Sequence, residues 1–240
     1  MCRSFREALI PPGNRLRSFV GPWVNPGFFR ADDDSIMTMA NPSFRFPAAE
    51  SYGLSPWEAA WSPYDEDTYR FVLGHVGPAD VVLEIGAGDL RLARRLAAVA
   101  RQVIAVEINP TVLARDVQQR PSNLSVVCAD ARRLSFPPDT TVGVLLMRHC
   151  EHVRLYVEKL RAVGCRRLIT NVRWGMGVEV VDLGLAPPFE EVGAGWYACK
   201  CGAVGIAPGT RPDDLAAPDD FVAQEVERCP TCTLASGDFT

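Results

Sequence analysis

Val82-Leu83-Glu84-Ile85-Gly86-Ala87-Gly88-Asp89 is the stretch that decides the fold. It closes a short apolar run and turns, through two glycines, into a segment at 90–100 whose apolar and arginine positions fall on separate helical stripes. A strand that runs through a glycine turn into a helix is the first half of a parallel crossover unit. The two glycines allow a tight turn and let a ligand lie against bare backbone at the strand's carboxyl end. The same alternation continues outward. Residues 103–107 read as a second strand, and Pro110, behind Asn109 as cap, opens a helix to about residue 119. Residues 124–128 and 142–147 read as third and fourth strands, and a helix at about 151–163 leads to a fifth at 167–170. Upstream, 65–76 reads as a helix with Tyr69, Val72, Leu73 and Val76 on one face. Near-continuous apolar strands separated by helices predict an α/β, Rossmann-like, doubly wound and mostly parallel sheet. After residue 170 the alternation stops. Residues 171–177 are too short and glycine-rich for a crossover helix, so 178–183 is expected as a tightly joined antiparallel strand.

The positions around the glycine turn narrow the ligand. A dinucleotide site would place a third glycine or alanine three residues after Gly88, and Arg91 stands there. Glu84 precedes Gly86 by two residues, an awkward neighbour for a diphosphate but a suitable one for a sulfonium and an ammonium group. Glu107 ends the second strand, where a carboxylate can accept hydrogen bonds from both ribose hydroxyls. Asp130-Ala131 follows the third strand, where an acid can accept from an adenine amino group. A glycine turn, a ribose acid and an adenine acid at successive strand ends favour S-adenosylmethionine, with NAD or another nucleotide as the alternative.

Residues of about 80–150 resemble the class I S-adenosylmethionine methyltransferases. Val82-Leu-Glu-Ile-Gly-Ala-Gly88, Val103-Ile-Ala-Val-Glu107 and Ala129-Asp-Ala131 are most similar to the rRNA adenine dimethylase branch of that superfamily. The resemblance covers about a third of the chain. It implies a cofactor site of Glu84, Gly86, Ala87, Gly88, Asp89, Glu107, Ile108, Asp130 and Ala131. The chain departs from the adenine-N6 pattern after the fourth strand. There the family carries Asn/Asp-Pro-Pro-Tyr or Asn-Leu-Pro-Tyr, and this chain reads Leu146-Met-Arg-His-Cys-Glu-His152, without proline or aromatic.

Methyl transfer from a sulfonium is an in-line displacement in which the protein positions the acceptor and, for an alcohol, phenol or protonated amine, removes its proton. His149 and His152 lie just past the fourth strand, where class I enzymes meet their substrates, and histidine can serve as a base near neutral pH. His149 is the first candidate, with Arg148 orienting an anionic or carbonyl group. The alternatives are that both histidines cap or pack the next helix, or share one helix face as a metal pair. Asn171, Arg173 and Trp174 follow the fifth strand and are candidates to line the same mouth. Trp174 would either stack on a ring or simply pack.

Eight cysteines divide unevenly. Cys2, Cys128, Cys150 and Cys165 are scattered, the last three in or beside apolar segments as expected of buried thiols. Cys199-Lys-Cys201-Gly202 and Cys229-Pro-Thr-Cys232 form two short pairs that suit a tetrahedral structural zinc site better than a redox pair. The expected organisation is a loosely structured extension at 1–50, a cofactor-binding domain at 51–185 and a small zinc-ribbon-like tail at 186–240. Met37 and Met39 are alternative starts.

A net charge of −4 and a pI near 5.5 argue against a protein that coats nucleic acid non-specifically. The chain has no run of eighteen apolar residues, and arginines interrupt its N-terminus before any signal-peptide core develops. A cytoplasmic location without membrane contact is expected. The leading expectation for function is methylation of RNA or another macromolecule. A small-molecule O- or N-methyltransferase and a non-catalytic cofactor-binding protein are the rivals.

Overall fold

In the computed structural model the described residues are 37–38, 63–114, 119–173, 177–211, 213, 215 and 223–232. Five apolar segments form parallel strands because each is buried on both faces and needs cover from above and below. They are β2 (Val81–Ile85), β3 (Gln102–Glu107), β4 (Leu124–Cys128), β5 (Val142–Leu145) and β6 (Arg167–Thr170). With β1 (Met37–Thr38) and β7 (Glu179–Asp182) they build a seven-stranded sheet in the order β1-β4-β3-β2-β5-β6-β7. From β2 the chain winds outward through β3 and β4, then returns to pair β5 on the other side of β2. The crevice for a ligand in such a sheet opens where the order reverses, at the carboxyl ends of β2 and β5. The register brings those ends level, with Ile85 opposite both Val106 and Leu145, Glu107 opposite Cys128, and Leu145 opposite Thr170.

Helices cover the two faces. On one, α1 (Glu66–Gly74) and α2 (Arg91–Ala97) set Tyr69, Val72, Ala93 and Leu96 against Val82, Val103, Ala105 and Val144. On the other, α4 (Val153–Ala162) sets Tyr156, Val157 and Leu160 against Leu83, Ile104, Leu145 and Leu168. Asp65 caps α1 by accepting from the Thr68 N–H at 2.8 Å. At α2 the N-cap residue Leu90 offers no side-chain hydrogen bond, and Asp89 Oδ1 accepts the Arg91 N–H at 3.2 Å instead. Leu90 enters the helix at φ +65°, a costly conformation for a branched residue. Its side chain is fully buried.

The elements run shorter than hydrophobic spacing predicts. The expected helix at 90–100 ends at Ala97, and α3 (Pro110–Leu113) is a single turn opened by the Asn109 cap, with 115–118 outside the described residues. Helix α4 begins at Val153 rather than 151, so His149 is not on it and the two histidines share no helix face. β7 runs antiparallel to β6, with Arg167 opposite Asp182. β1 pairs antiparallel with the outer edge of β4, inside a stretch whose proline and glycine punctuation predicts no strand.

A second, three-stranded sheet of order β10-β8-β9 holds the cysteines. Its strands are β8 (Trp196–Cys199), β9 (Val204–Ile206) and β10 (Gln224–Val226). Its buried core is Tyr197, Cys199, Val226, Cys229 and Cys232. Among the described residues no helix is long and apolar enough to cross a membrane.

Candidate functional site

The glycine turn is stapled to β3. The Gly86 and Ala87 N–H groups both donate to the Val106 carbonyl, at 2.8 and 3.0 Å. Gly86 sits at φ +78°, a conformation that favours glycine, and a Cβ there would crowd Met147 Cε at 3.1 Å. Gly88 donates its N–H to Glu107 Oε2 at 2.8 Å, and Asn109 donates to Oε1 at 2.8 Å. Two backbone donors therefore fix the Glu107 carboxylate.

Glu84 is 5% exposed, and its Oε2 has no hydrogen-bond partner among the described residues. Burial first, then the charges of Glu107 and Asp89, push its pKa up to about 8. Such an orphaned acid is costly, which marks it as a group awaiting a cationic or donor partner. Asp130 behaves differently. Burial would raise its pKa, but Arg132 overrides this and holds it low, donating from its backbone N at 2.9 Å and from Nε to both oxygens at 2.8 and 2.9 Å. Lys159 of α4 pins the same loop through the Ala131 and Arg132 carbonyls, at 2.7 and 2.9 Å.

These groups line one cleft of about 800 Å³ at the carboxyl ends of β2, β3, β4 and β5. All the sequence-derived cofactor positions line it except Gly88, whose N–H is turned to Glu107. Arg148, His149 and His152 line it too, so the proton-transfer candidates and the three acids share a single cavity. The structure adds Tyr64, Tyr69, Arg132, Met147 and Tyr156 to the lining. The Arg148 guanidinium lies 5.3 Å from the centre of the Tyr64 ring, and its Nε has no partner among the described residues. Arg132 Nη1 stands 3.3 Å from His152 Nε2, which joins the Asp130 loop to the turn before α4. The only sequence signal for Arg132 is its place two residues after Asp130, and Tyr64 has none beyond its aromatic character.

The residues expected after β6 are placed otherwise. Trp174 lies outside the described residues. Asn171 is buried and does not line the cleft. Arg173 does not line it either, which corrects the expectation that it faces a substrate. Its side chain, 3% exposed, is clasped by Glu179 at 2.6 and 2.7 Å and by Glu225 at 2.9 and 2.5 Å. The antiparallel return of β7 and the docking of β10 bring these two acids to it. Burial alone would lower the arginine pKa, and the two carboxylates outweigh that and raise it.

The four tail cysteines converge, with every Sγ within 4.8 Å of the others. Measured pairs stand 3.9 Å (Cys199–Cys232), 3.7 Å (Cys201–Cys229) and 3.9 Å (Cys229–Cys232). Four sulfurs around a tetrahedral ion with bonds of about 2.3 Å would lie about 3.8 Å apart, whereas a disulfide needs about 2.05 Å. Among the described residues this is the one cluster of three or more metal-type side chains, and neither His149 nor His152 belongs to it.

Residues 82–165 match the family model of a methyltransferase domain. Over those residues the chain is similar to a methyltransferase domain. The chain is 45% identical over 65 residues to the probable ribosomal RNA small subunit methyltransferase A of Methanosarcina barkeri, covering 26% of this chain and 22% of that protein. The Methanosarcina acetivorans protein of the same name is 40% identical over 68 residues, covering 28% and 25%. The chain thus spans about a quarter of the length of the curated relatives it matches. Among solved structures it is similar to the 23S rRNA methyltransferase ErmE (28% identity, TM-score 0.40, 45% of this chain and 46% of that one). It is similar also to the tRNA (m1A58) methyltransferase TrmI of Aquifex aeolicus (19%, TM-score 0.40, 52% and 53%). The sheet and cleft follow the doubly wound arrangement that the glycine turn implies.

Proposed function

We propose that the protein is an S-adenosylmethionine-dependent methyltransferase acting on RNA. The observation that carries the cofactor is the buried, half-orphaned carboxylate of Glu84 beside the fixed carboxylate of Glu107, both facing a cleft floored by bare glycine backbone. In this reading Glu84 accepts from the cofactor's ammonium group and Glu107 from the ribose hydroxyls. Asp130 accepts from the adenine amino group, and Gly86–Asp89, Ile108 and Ala131 shape the walls. The cofactor, when bound, supplies a methyl group made electrophilic by its sulfonium. His149 takes the acceptor's proton, Arg148 holds an anionic part of the acceptor, and His152 orients the turn through Arg132. The identity to ribosomal RNA methyltransferases supports RNA as acceptor. The segment 146–152 favours a second reading, a small-molecule O- or N-methyltransferase, because it has neither the proline nor the aromatic of an adenine-N6 site.

The cysteine cluster is proposed to hold one structural zinc ion through Cys199, Cys201, Cys229 and Cys232. A closed four-thiolate shell leaves no position open for catalysis. Four cysteines grouped at metal-ligand spacing rather than as disulfides fit a reducing compartment, which favours the cytoplasm.

Two measurements test the proposal. Calorimetry should show cofactor binding by the wild-type chain and its loss in Glu107→Ala, and unchanged affinity would overturn the site assignment. Incubation with methyl-labelled cofactor and fractionated RNA, protein and metabolite pools should put label in RNA. Label only in metabolites would replace the first reading with the second, and none in any pool would favour a binding protein.

A further inference from the structure

We propose that the four-cysteine module is a metal-dependent clamp on the β6–β7 end of the methyltransferase sheet, so that emptying the cysteine site loosens that end and the cleft beside it. This rests on the metal reading given above. Charged contacts link the two sheets, and their anchors are built into the cysteine segments themselves. Lys200 stands between Cys199 and Cys201, is buried, donates to the Asp182 carbonyl of β7 and pairs with Glu225 at 3.1 Å. Glu225, on β10 four residues before Cys229, joins Glu179 in neutralising Arg173. Glu227, two residues before Cys229, receives the Arg161 guanidinium of α4 and the Ala186 N–H. Arg161 also donates to the Leu183 and Gly184 carbonyls at 2.6 and 2.7 Å, tying α4 to the exit of β7. Gly202 packs against the Val153 side chain of α4 at the same seam.

The module cannot supply its own stability. Among the described residues its buried core cluster is five residues, three of them cysteines, far below what an unlinked sheet of this size needs. Metal binding is then its folding energy. When the module unfolds, Glu225, Glu227 and Lys200 leave the seam together. Arg173, 3% exposed, is left with Glu179 alone, and Arg161 with carbonyls. Arg173 then keeps Glu179 but loses half of its compensation, and such a partly stranded charge holds the β6–β7 end less firmly.

A contiguous path leads from that stranded charge to the cleft. Arg173 lies three residues beyond Thr170, the last residue of β6. Thr170 Oγ1 donates to the Leu145 carbonyl at 2.7 Å, at the end of β5. Leu146, Met147 and Arg148, the next three residues, line the cleft. Met147 packs on Gly86.

The test is amide hydrogen exchange on the full chain, with metal content measured in parallel. In wild type, removal of zinc by a chelator should speed exchange at 167–170 and 179–182 by about ten-fold or more, with β3 changed far less, and added zinc should reverse it. Glu225→Gln combined with Glu227→Gln keeps all four cysteines. That variant should still bind one zinc, exchange faster in the same two strands before chelation, and respond to the chelator less than wild type does. Arg173→Met, which deletes the stranded charge, should also blunt the chelator response, and covers the case in which the double variant does not fold. Zinc that leaves the wild type without changing exchange in β6 and β7 would overturn the clamp alone. A chain that neither contains nor takes up metal would overturn the metal reading, and the clamp with it.

Discussion

Glu84→Gln keeps the shape of a fully buried side chain and deletes its titration. In the free chain the folded carboxyl has its pKa raised from 4.5 to about 8, so between those values the folded state holds a proton that the unfolded chain has released. Stability is therefore full below pH 4.5, falls as pH rises by about 1.4 kcal/mol per unit, and levels off above about pH 8. At pH 7 the wild type has lost about 3 kcal/mol relative to a chain whose residue 84 cannot ionise. The glutamine variant should recover much of this at pH 7, visible as an unfolding temperature higher by several degrees and a flatter stability profile from pH 5 to 8. Binding should move the opposite way. A carboxylate facing an ammonium group contributes about 1.5–3 kcal/mol, so the variant should bind S-adenosylmethionine about 10–100-fold more weakly. The same pairing predicts that wild-type affinity rises with pH up to about 8 and that binding at pH 7 releases close to one proton. Calorimetry in buffers of different ionisation heat counts that proton. A variant with the wild-type pH–stability profile, or one that binds the cofactor as tightly as wild type with the same proton count, would refute the reasoning.

Gly86→Ala forces a side chain into φ +78° and against Met147, and should cost about 1–2 kcal/mol of stability together with at least about ten-fold in cofactor affinity, read by denaturant unfolding and calorimetry. His149→Ala should lower kcat by about 10²–10⁴ while leaving cofactor affinity nearly unchanged, and retained turnover would remove it as the proton acceptor. Cys229→Ser should abolish stoichiometric zinc and lower the thermal stability of the tail, checked by metal analysis and circular dichroism under reducing conditions. Arg148→Ala should raise KM for an anionic acceptor more than it lowers kcat, since its guanidinium lies over Tyr64 at the cleft rather than at the reacting atoms.

The cleft was legible from local pattern because its parts sit at fixed places in repeated strand–turn–helix units. A glycine turn after one strand and an acid at the end of each of the next two require only that the strands be parallel and in register, and burial of Val81–Ile85 and its neighbours on both faces enforces that. The convergence of four cysteines was legible for a similar reason, since a metal site needs two closely spaced pairs and little else. Element ends were less legible. Helix α4 starts at Val153 with no capping side chain to announce it, so hydrophobic spacing alone carried the predicted helix back past His152. Arg173 was read as a substrate residue because its sequence neighbourhood, a strand end, is where ligands bind.

Sequence by itself thus determined the sheet class, the placing of acids 84, 107 and 130 at strand ends that face one cleft, and the paired cysteines, because each depends on spacing within a strand, a turn or a short loop. Tertiary structure alone decided what Arg173, Lys200, Glu225 and Glu227 do. Their partners lie up to 66 residues away and belong to different sheets. A buried charge is defined by the acid that reaches it, and only the docking of the small sheet against β7 and α4 determines which acid that is.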